Sequence, residues 1–241
     1  MNRLPVNFDF LSQYEVDLEV SADSDQSAQM ISDYERIRLD DAEQYFKFGM
    51  AFLELGGEFR PRAVEAFARV TELRPDWPQT HFYLGLAYAE SGERLKAIES
   101  YEKVLLVEPD DVVLLGALLH AHMMLGNYSE GAKISERLME LEPELPTTYF
   151  FHGLFQLLLG HNPEADVLLS RAIELVPDFA EAHYSLGVIK CMRGMKDDCH
   201  AHLEMLRELR PDLAEALARL SGQGNITAAE IVSDLTRVII D

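Results

Sequence analysis

Between residues 42 and 211, apolar side chains recur three and four positions apart in short bursts, and each burst is broken by a glycine or a proline. That spacing predicts amphipathic helices rather than strands. The breaks are themselves periodic. Pro75, Pro109, Pro143, Pro177 and Pro211 lie 34 residues apart. Gly92, Gly126, Gly160 and Gly194 keep the same interval of 34, with Gly56 placed 36 before Gly92. The two extra residues are expected around Arg60-Pro61-Arg62, as a longer internal turn. A third series sets Gly49, Gly85, Gly153 and Gly187 in phase, with Leu119 where a fifth would fall.

Each unit reads as two helices. The first closes at the regularly spaced glycine, which enters the left-handed region without steric cost. The second is expected to start at Ala63, Ala97, Gly131, Ala165 or Cys199 and to stop before the proline, which cannot continue it. Small residues on both helices allow close approach, and a pair this short needs neighbours to bury its apolar face.

Small residue, glycine, alanine, aromatic and proline in this phase make the chain resemble the tetratricopeptide repeat family over residues 42 to 211. The resemblance implies an all-α, right-handed superhelical stack of five helix-turn-helix repeats with terminal capping helices. Their bounds are 42–77, 78–111, 112–145, 146–179 and 180–213. The third departs from the pattern, with Leu119 for Gly and Gly131 for Ala, and reads as an exchange of bulk between two facing residues. Before the repeats come an acidic arm (1–25) and a degenerate half-repeat capping helix (26–41), in which Met30, Ile31, Tyr34 and Ile37 keep helical spacing. After them, 212–221 reads as a capping helix, and 225–241 as an amphipathic helix opened by the capping box Thr227-Ala-Ala-Glu230. Its stripe of Ile231, Val232, Leu235, Val238 and Ile239 must pack on something.

Charge narrows the functions. Against 42 Asp and Glu stand 21 Lys and Arg, a net charge of -21. Such a surface disfavours nucleic acid and anionic membranes as ligands. No stretch approaches the ~18 apolar residues of a membrane span, and Asp9, Glu15 and Asp17 interrupt what a secretory leader would need. With only two cysteines, too few for a disulfide framework and with Cys199 expected as a buried free thiol, these features point to a reducing, cytoplasmic setting.

Catalytic motifs are missing from the sequence, so neither an enzyme nor a cofactor is expected. Cys191, Cys199, His200 and His202 have no usual zinc spacing, and Cys199 takes the small-residue position of the helix pair. His81 and His183 stand where a packing aromatic is usual, which leaves His120 as the one histidine of interest.

The family's first helices line an inner groove, and the resemblance implies which positions do so here. Of 25 such positions, 17 are apolar or aromatic and none is Lys or Arg. Family members that hold the acidic tails of heat-shock chaperones use Lys, Asn and Arg there. The matching residues here are Phe46, Met50, Tyr83, Val113 and Ala117, so no such carboxylate clamp is expected. The expected partner-binding groove comprises Phe46, Met50, Phe82, Tyr83, Leu86, His120, Met123, Met124, Phe150, Phe151, Leu154, Leu158, Tyr184 and Val188. Apolar, methionine-bearing grooves suit an amphipathic helix or an extended segment with large anchors.

The resulting expectation is a non-enzymatic scaffold or assembly chaperone that binds an apolar segment of another protein. One alternative is a homo-oligomer subunit packed through the groove or the last helix; another is a bacterial secretion-type chaperone. The groove could also be filled by the chain itself, through Phe8, Phe10, Leu11 and Tyr14 of the arm or through the last helix.

Overall fold

A computed structural model describes residues 29, 31–34, 36, 41–223 and 226–240, with 236–240 described by backbone only. Among them every regular element is helical. The chain forms two compact units that divide between Leu125 and Gly126, inside the third repeat.

In the N-terminal unit α1 (Ala42–Leu55) pairs with α2 (Arg60–Leu73), and α3 (Pro78–Glu90) pairs with α4 (Arg94–Leu105). Helix α5 (Val112–Leu125) packs on α4 and touches α3. The Asp41 carboxylate caps α1 by accepting from the Gln44 N–H at 3.0 Å. Asp111 does the same for α5 through the Val113 and Leu114 N–H groups. Ahead of α1, Tyr34 sets its ring edge-on to Tyr45, Phe48 and Phe52, and Ile31 packs on the same cluster. Met30, Ile37 and the acidic arm, with its four apolar candidates, lie outside the described residues.

The C-terminal unit runs α6 (Tyr128–Leu141), α7 (Pro146–Leu158), α8 (Asn162–Leu175), α9 (Ala180–Met192) and α10 (Lys196–Leu209), each packed on the next. Helix α11 (Pro211–Ser221) covers α9 and α10, and α12 (Ala228–Ile240) lies on α11. The Thr227 hydroxyl accepts from the Glu230 N–H, and the Glu230 carboxylate accepts from the Thr227 N–H at 2.9 Å, so α12 opens with a reciprocal cap.

Close approach is what the in-phase glycines provide. A Cβ at Gly85 would lie 2.5 Å from the Tyr101 ring, and one at Gly49 2.8 Å from the Phe67 ring. In these two pairs the second helix thus presses an aromatic onto the backbone of the first.

Three local expectations are corrected. The second helices begin three residues before the lattice alanines, because a proline such as Pro61 or Pro163 is tolerated in a first turn, where its missing N–H has no partner to lose. The two extra residues of the first repeat therefore sit in the 3₁₀ turn Gly57–Phe59, after Gly56 and Gly57 at positive φ, and not at Arg60-Pro61-Arg62. Finally, the space over Gly131 is filled by the Phe155 ring of α7, where the sequence pattern suggested Leu119.

Candidate functional site

The first helices of the repeats in the N-terminal unit, α1, α3 and α5, touch in that order. Residues four apart form one stripe down each helix: Phe46 and Met50, Phe82 and Leu86, His120 and Met124. Phe46, Met50, Phe82, Leu86 and Met124 are half-buried, and His120 is exposed. Tyr83 and Met123 lie one position round from Phe82 and from Met124, and that rotation of about 100° turns them into the core. Tyr83 stacks on Phe67 at 5.7 Å and meets Phe46 edge-on at 5.3 Å, with no exposed surface, so it is not the groove anchor expected. Exposed Glu43, Glu54 and Glu90 flank the stripe, and Arg60 reaches Glu90 at 3.4 Å.

The corresponding residues of the C-terminal unit have a different fate. Phe150, Leu154, Leu158, Tyr184 and Val188 are buried, and only Phe151 is half-exposed. Phe150 packs between Phe151 and Phe179, at 5.1 and 5.0 Å. Tyr184 reaches α12. Its hydroxyl donates to Asp234 at 2.7 Å, and Arg219 of α11 donates from one nitrogen to both oxygens of the same carboxylate, each at 2.7 Å. Burial first, and then the hydrogen bond to Asp234, push the Tyr184 hydroxyl well above the ordinary tyrosine range, so it remains a donor. Ile231 and Leu235 of α12 are buried on either side of Asp234 in sequence. The Asp234 and Arg219 roles escaped the sequence reading. The available signal was one acidic residue on the apolar stripe of the last helix.

One arrangement has the outline of a catalytic triad. Ser135 Oγ lies 2.9 Å from His152 Nδ1, and Glu164 lies 4.0 Å from His152 Nε2. The protons are committed elsewhere. The Ser135 hydroxyl donates to the Ala132 carbonyl, which leaves His152 Nδ1–H to donate to Ser135. Gln156 donates to His152 Nε2, and His161 donates to Gln156. Ser135 is also wholly buried, so no acyl group can reach it. This is a structural network that satisfies a buried imidazole.

The model of the tetratricopeptide repeat family matches residues 78–111, the second repeat, and the same helix pairing recurs in α1–α2, α7–α8 and α9–α10. Residues 78–111 are a tetratricopeptide repeat, set in an array of like helix pairs. No curated protein matches it in sequence. Among solved structures, MamA 41-end from Desulfovibrio magneticus RS-1 shares 18% identity over 76% of this chain and 97% of that one, with a TM-score of 0.61. YrrB, described as a TPR protein with an unusual peptide-binding site, shares 20% over 83% and 100%, with a TM-score of 0.63. TTC0263, a thermophilic TPR protein in Thermus thermophilus, shares 19% over 75% and 98%, with a TM-score of 0.53. At such identities the likeness is one of fold.

In this helical-repeat chain the small-residue position of the last repeat is modified. Cys199 is not a free thiol; it is joined to Cys191 by a disulfide, with the two Cα atoms 5.2 Å apart across the turn at Gly194. The bridge removes the free-thiol argument for a reducing compartment. His183 donates from Nε2 to the Pro177 carbonyl and accepts at Nδ1 from His202, 3.0 Å away, so both histidines serve packing. No cluster of three or more His, Cys, Asp or Glu suited to a metal occurs among the described residues. No helix there is long and apolar enough to cross a membrane.

Proposed function

We propose that this protein is a non-enzymatic interaction module, a scaffold or assembly chaperone, that holds an apolar helical segment of a partner on α1, α3 and α5. The supporting observation is the half-buried stripe of Phe46, Met50, Phe82, Leu86 and Met124, which carries no Lys or Arg and is flanked by exposed Glu43, Glu54 and Glu90. Apolar anchors on the partner supply the contact area, and basic residues beside them answer the acidic flanks. That YrrB, with the same fold, is described as having a peptide-binding site supports a peptide-holding role for this scaffold.

The test is titration of a fluorescent amphipathic helical peptide with leucine anchors and lysine flanks against the wild type and the Leu86→Glu, Met124→Glu double variant. Affinity is expected to fall roughly tenfold or more, as for central apolar contacts. Equal affinity for both proteins overturns the assignment of this face. Sedimentation at several concentrations separates the homo-oligomer reading, in which the same double substitution dissolves a dimer.

A further inference from the structure

The C-terminal unit carries its own occupied binding site, independent of the face just proposed. We infer that the inner side of α9 at Tyr184, with Arg219 beside it, is a recognition site for an amphipathic helix bearing a carboxylate between two aliphatic residues, and that α12 is its tethered, exchangeable occupant.

The argument starts from Asp234. It is 4% exposed, on a helix that otherwise buries Ile231 and Leu235. A buried carboxylate contributes little net stability, since desolvation offsets its ion pair, and an aliphatic residue of similar size would hold α12 at least as well. What the carboxylate adds is selectivity. Its two oxygens receive the Tyr184 hydroxyl and the Arg219 guanidinium, and a helix without an acceptor there leaves the buried Tyr184 hydroxyl unpaired, while the half-exposed Arg219 is left to water. Ile231, Asp234 and Leu235 are three and four residues apart, so the site reads one face of one turn. Tyr184 and Arg219 come from different helices, α9 and α11, which pack directly on each other.

Exchangeability follows from how α12 is attached. It meets α11 through a small contact, starts with its own capping box, and is joined to the array by Gly222-Gln223-Gly224-Asn225. A helix that begins with its own cap and meets the array through a small contact can leave as a unit. A partner helix with the same turn then replaces it against a local concentration set by the tether.

The experiment uses the full-length chain. In Asp234→Arg, a cation faces Arg219 and α12 is expelled; Leu235→Asp removes α12 by a second route. A labelled peptide of residues 226–241 is titrated against both variants and the wild type. Both variants are expected to bind it ~30-fold or more tightly than the wild type does, and a peptide carrying Asp234→Asn is expected to bind them ~10-fold or more weakly than the native peptide, the scale for weakening a buried hydrogen bond to a charged group. In wild-type hydrogen exchange, α12 amides are expected to exchange ahead of α9 and α10. Three results overturn the inference: folded variants that bind the peptide no better than wild type, indifference to the Asp234→Asn change, or loss of the cooperative thermal transition in both variants, which makes α12 integral core.

Discussion

Tyr184 and Asp234, fifty residues apart in sequence, meet at 2.7 Å in a buried hydrogen bond that ties the last helix to the inner side of α9. The bond is charge-assisted, and the carboxylate is almost wholly removed from water. Tyr184→Phe keeps the ring in place and deletes only the donor. It is expected to lower the unfolding free energy of the C-terminal unit by about 1.5–3 kcal/mol, the range for hydrogen bonds to charged groups. Urea denaturation followed by circular dichroism measures it, and an unshifted midpoint removes the bond from the stability of that unit.

A second prediction sets two opposed effects against each other. Glycine inside a helix ordinarily costs up to ~1 kcal/mol relative to alanine, so Gly131→Ala in α6 would be stabilising on propensity alone. The Phe155 ring occupies the space the new methyl needs, and Phe155 is itself wholly buried and cannot move aside. Overpacking of this kind costs about 1–3 kcal/mol. Gly131→Ala is therefore expected to destabilise, and Phe155→Leu in the same chain is expected to recover part of the loss. A raised melting temperature for the single variant contradicts the packing.

These two contacts show what could and could not be read from the chain. The prolines and glycines fix where helices end because their constraint is local, belonging to one backbone position. Gly131 against Phe155 is not local: the pattern offered Leu119 as the partner by analogy with the other repeats, and phase alone does not say which neighbour fills a gap. The positions of the stripe along the first helices follow from helical spacing alone. Their exposure does not, because whether Leu86 is open and Val188 closed depends on the packing around each, and no repeat pattern encodes that. The disulfide escaped for a similar reason. Cys199 matched the alanines of the other repeats, and only the turn at Gly194 brings Cys191 within bonding range.

The bridge between Cys191 and Cys199 closes a loop with a sequence separation of 8. Chain-entropy reasoning for a loop of that size gives about 2.5 kcal/mol of stabilisation. Reductant is expected to lower the denaturation midpoint of the wild type by a corresponding amount. A variant with Cys191→Ser and Cys199→Ala, which restores the alanine of the other repeats, is expected to ignore reductant. Thermal melts with and without dithiothreitol decide it, and identical wild-type melts exclude the stabilisation.

Acid is expected to weaken the His183 and His202 pair. Burial, then His183 and Lys190, hold the His202 imidazole down to about 4, against the opposing pull of Asp198 and Asp166. In the unfolded chain a histidine titrates near ~6.5. Between those two values the unfolded chain binds more protons than the folded one, so stability rises with pH across that window. It is complete above about 6.5 and is lost as the pH falls toward about 4. Urea midpoints at steps across this range are expected to decline in the wild type and to decline less in His202→Gln. Equal slopes for the two proteins remove His202 as the source.

Phe150 and Leu86 occupy inner-face positions in different repeats, yet a glutamate should act differently at each. Phe150 has no exposed surface and is packed by Phe151 and Phe179, so Phe150→Glu buries a carboxylate beside two aromatic rings. Such a change loses the aromatic packing, about 3–5 kcal/mol for large-to-small changes at a buried phenylalanine, and adds desolvation of a charge. The C-terminal unit is expected to unfold or melt far earlier. Leu86 is half-buried on the stripe of the N-terminal unit, where a glutamate can turn its carboxylate to water. Leu86→Glu is expected to keep the helical circular dichroism and melt close to wild type, while weakening capture of the amphipathic probe peptide. If Phe150→Glu instead melts like the wild type, the inner side of α7 is open to water, and Phe150 and Leu154 return to the set of partner contacts. If Leu86→Glu collapses, the stripe of the N-terminal unit is core and its assignment as an interaction face fails.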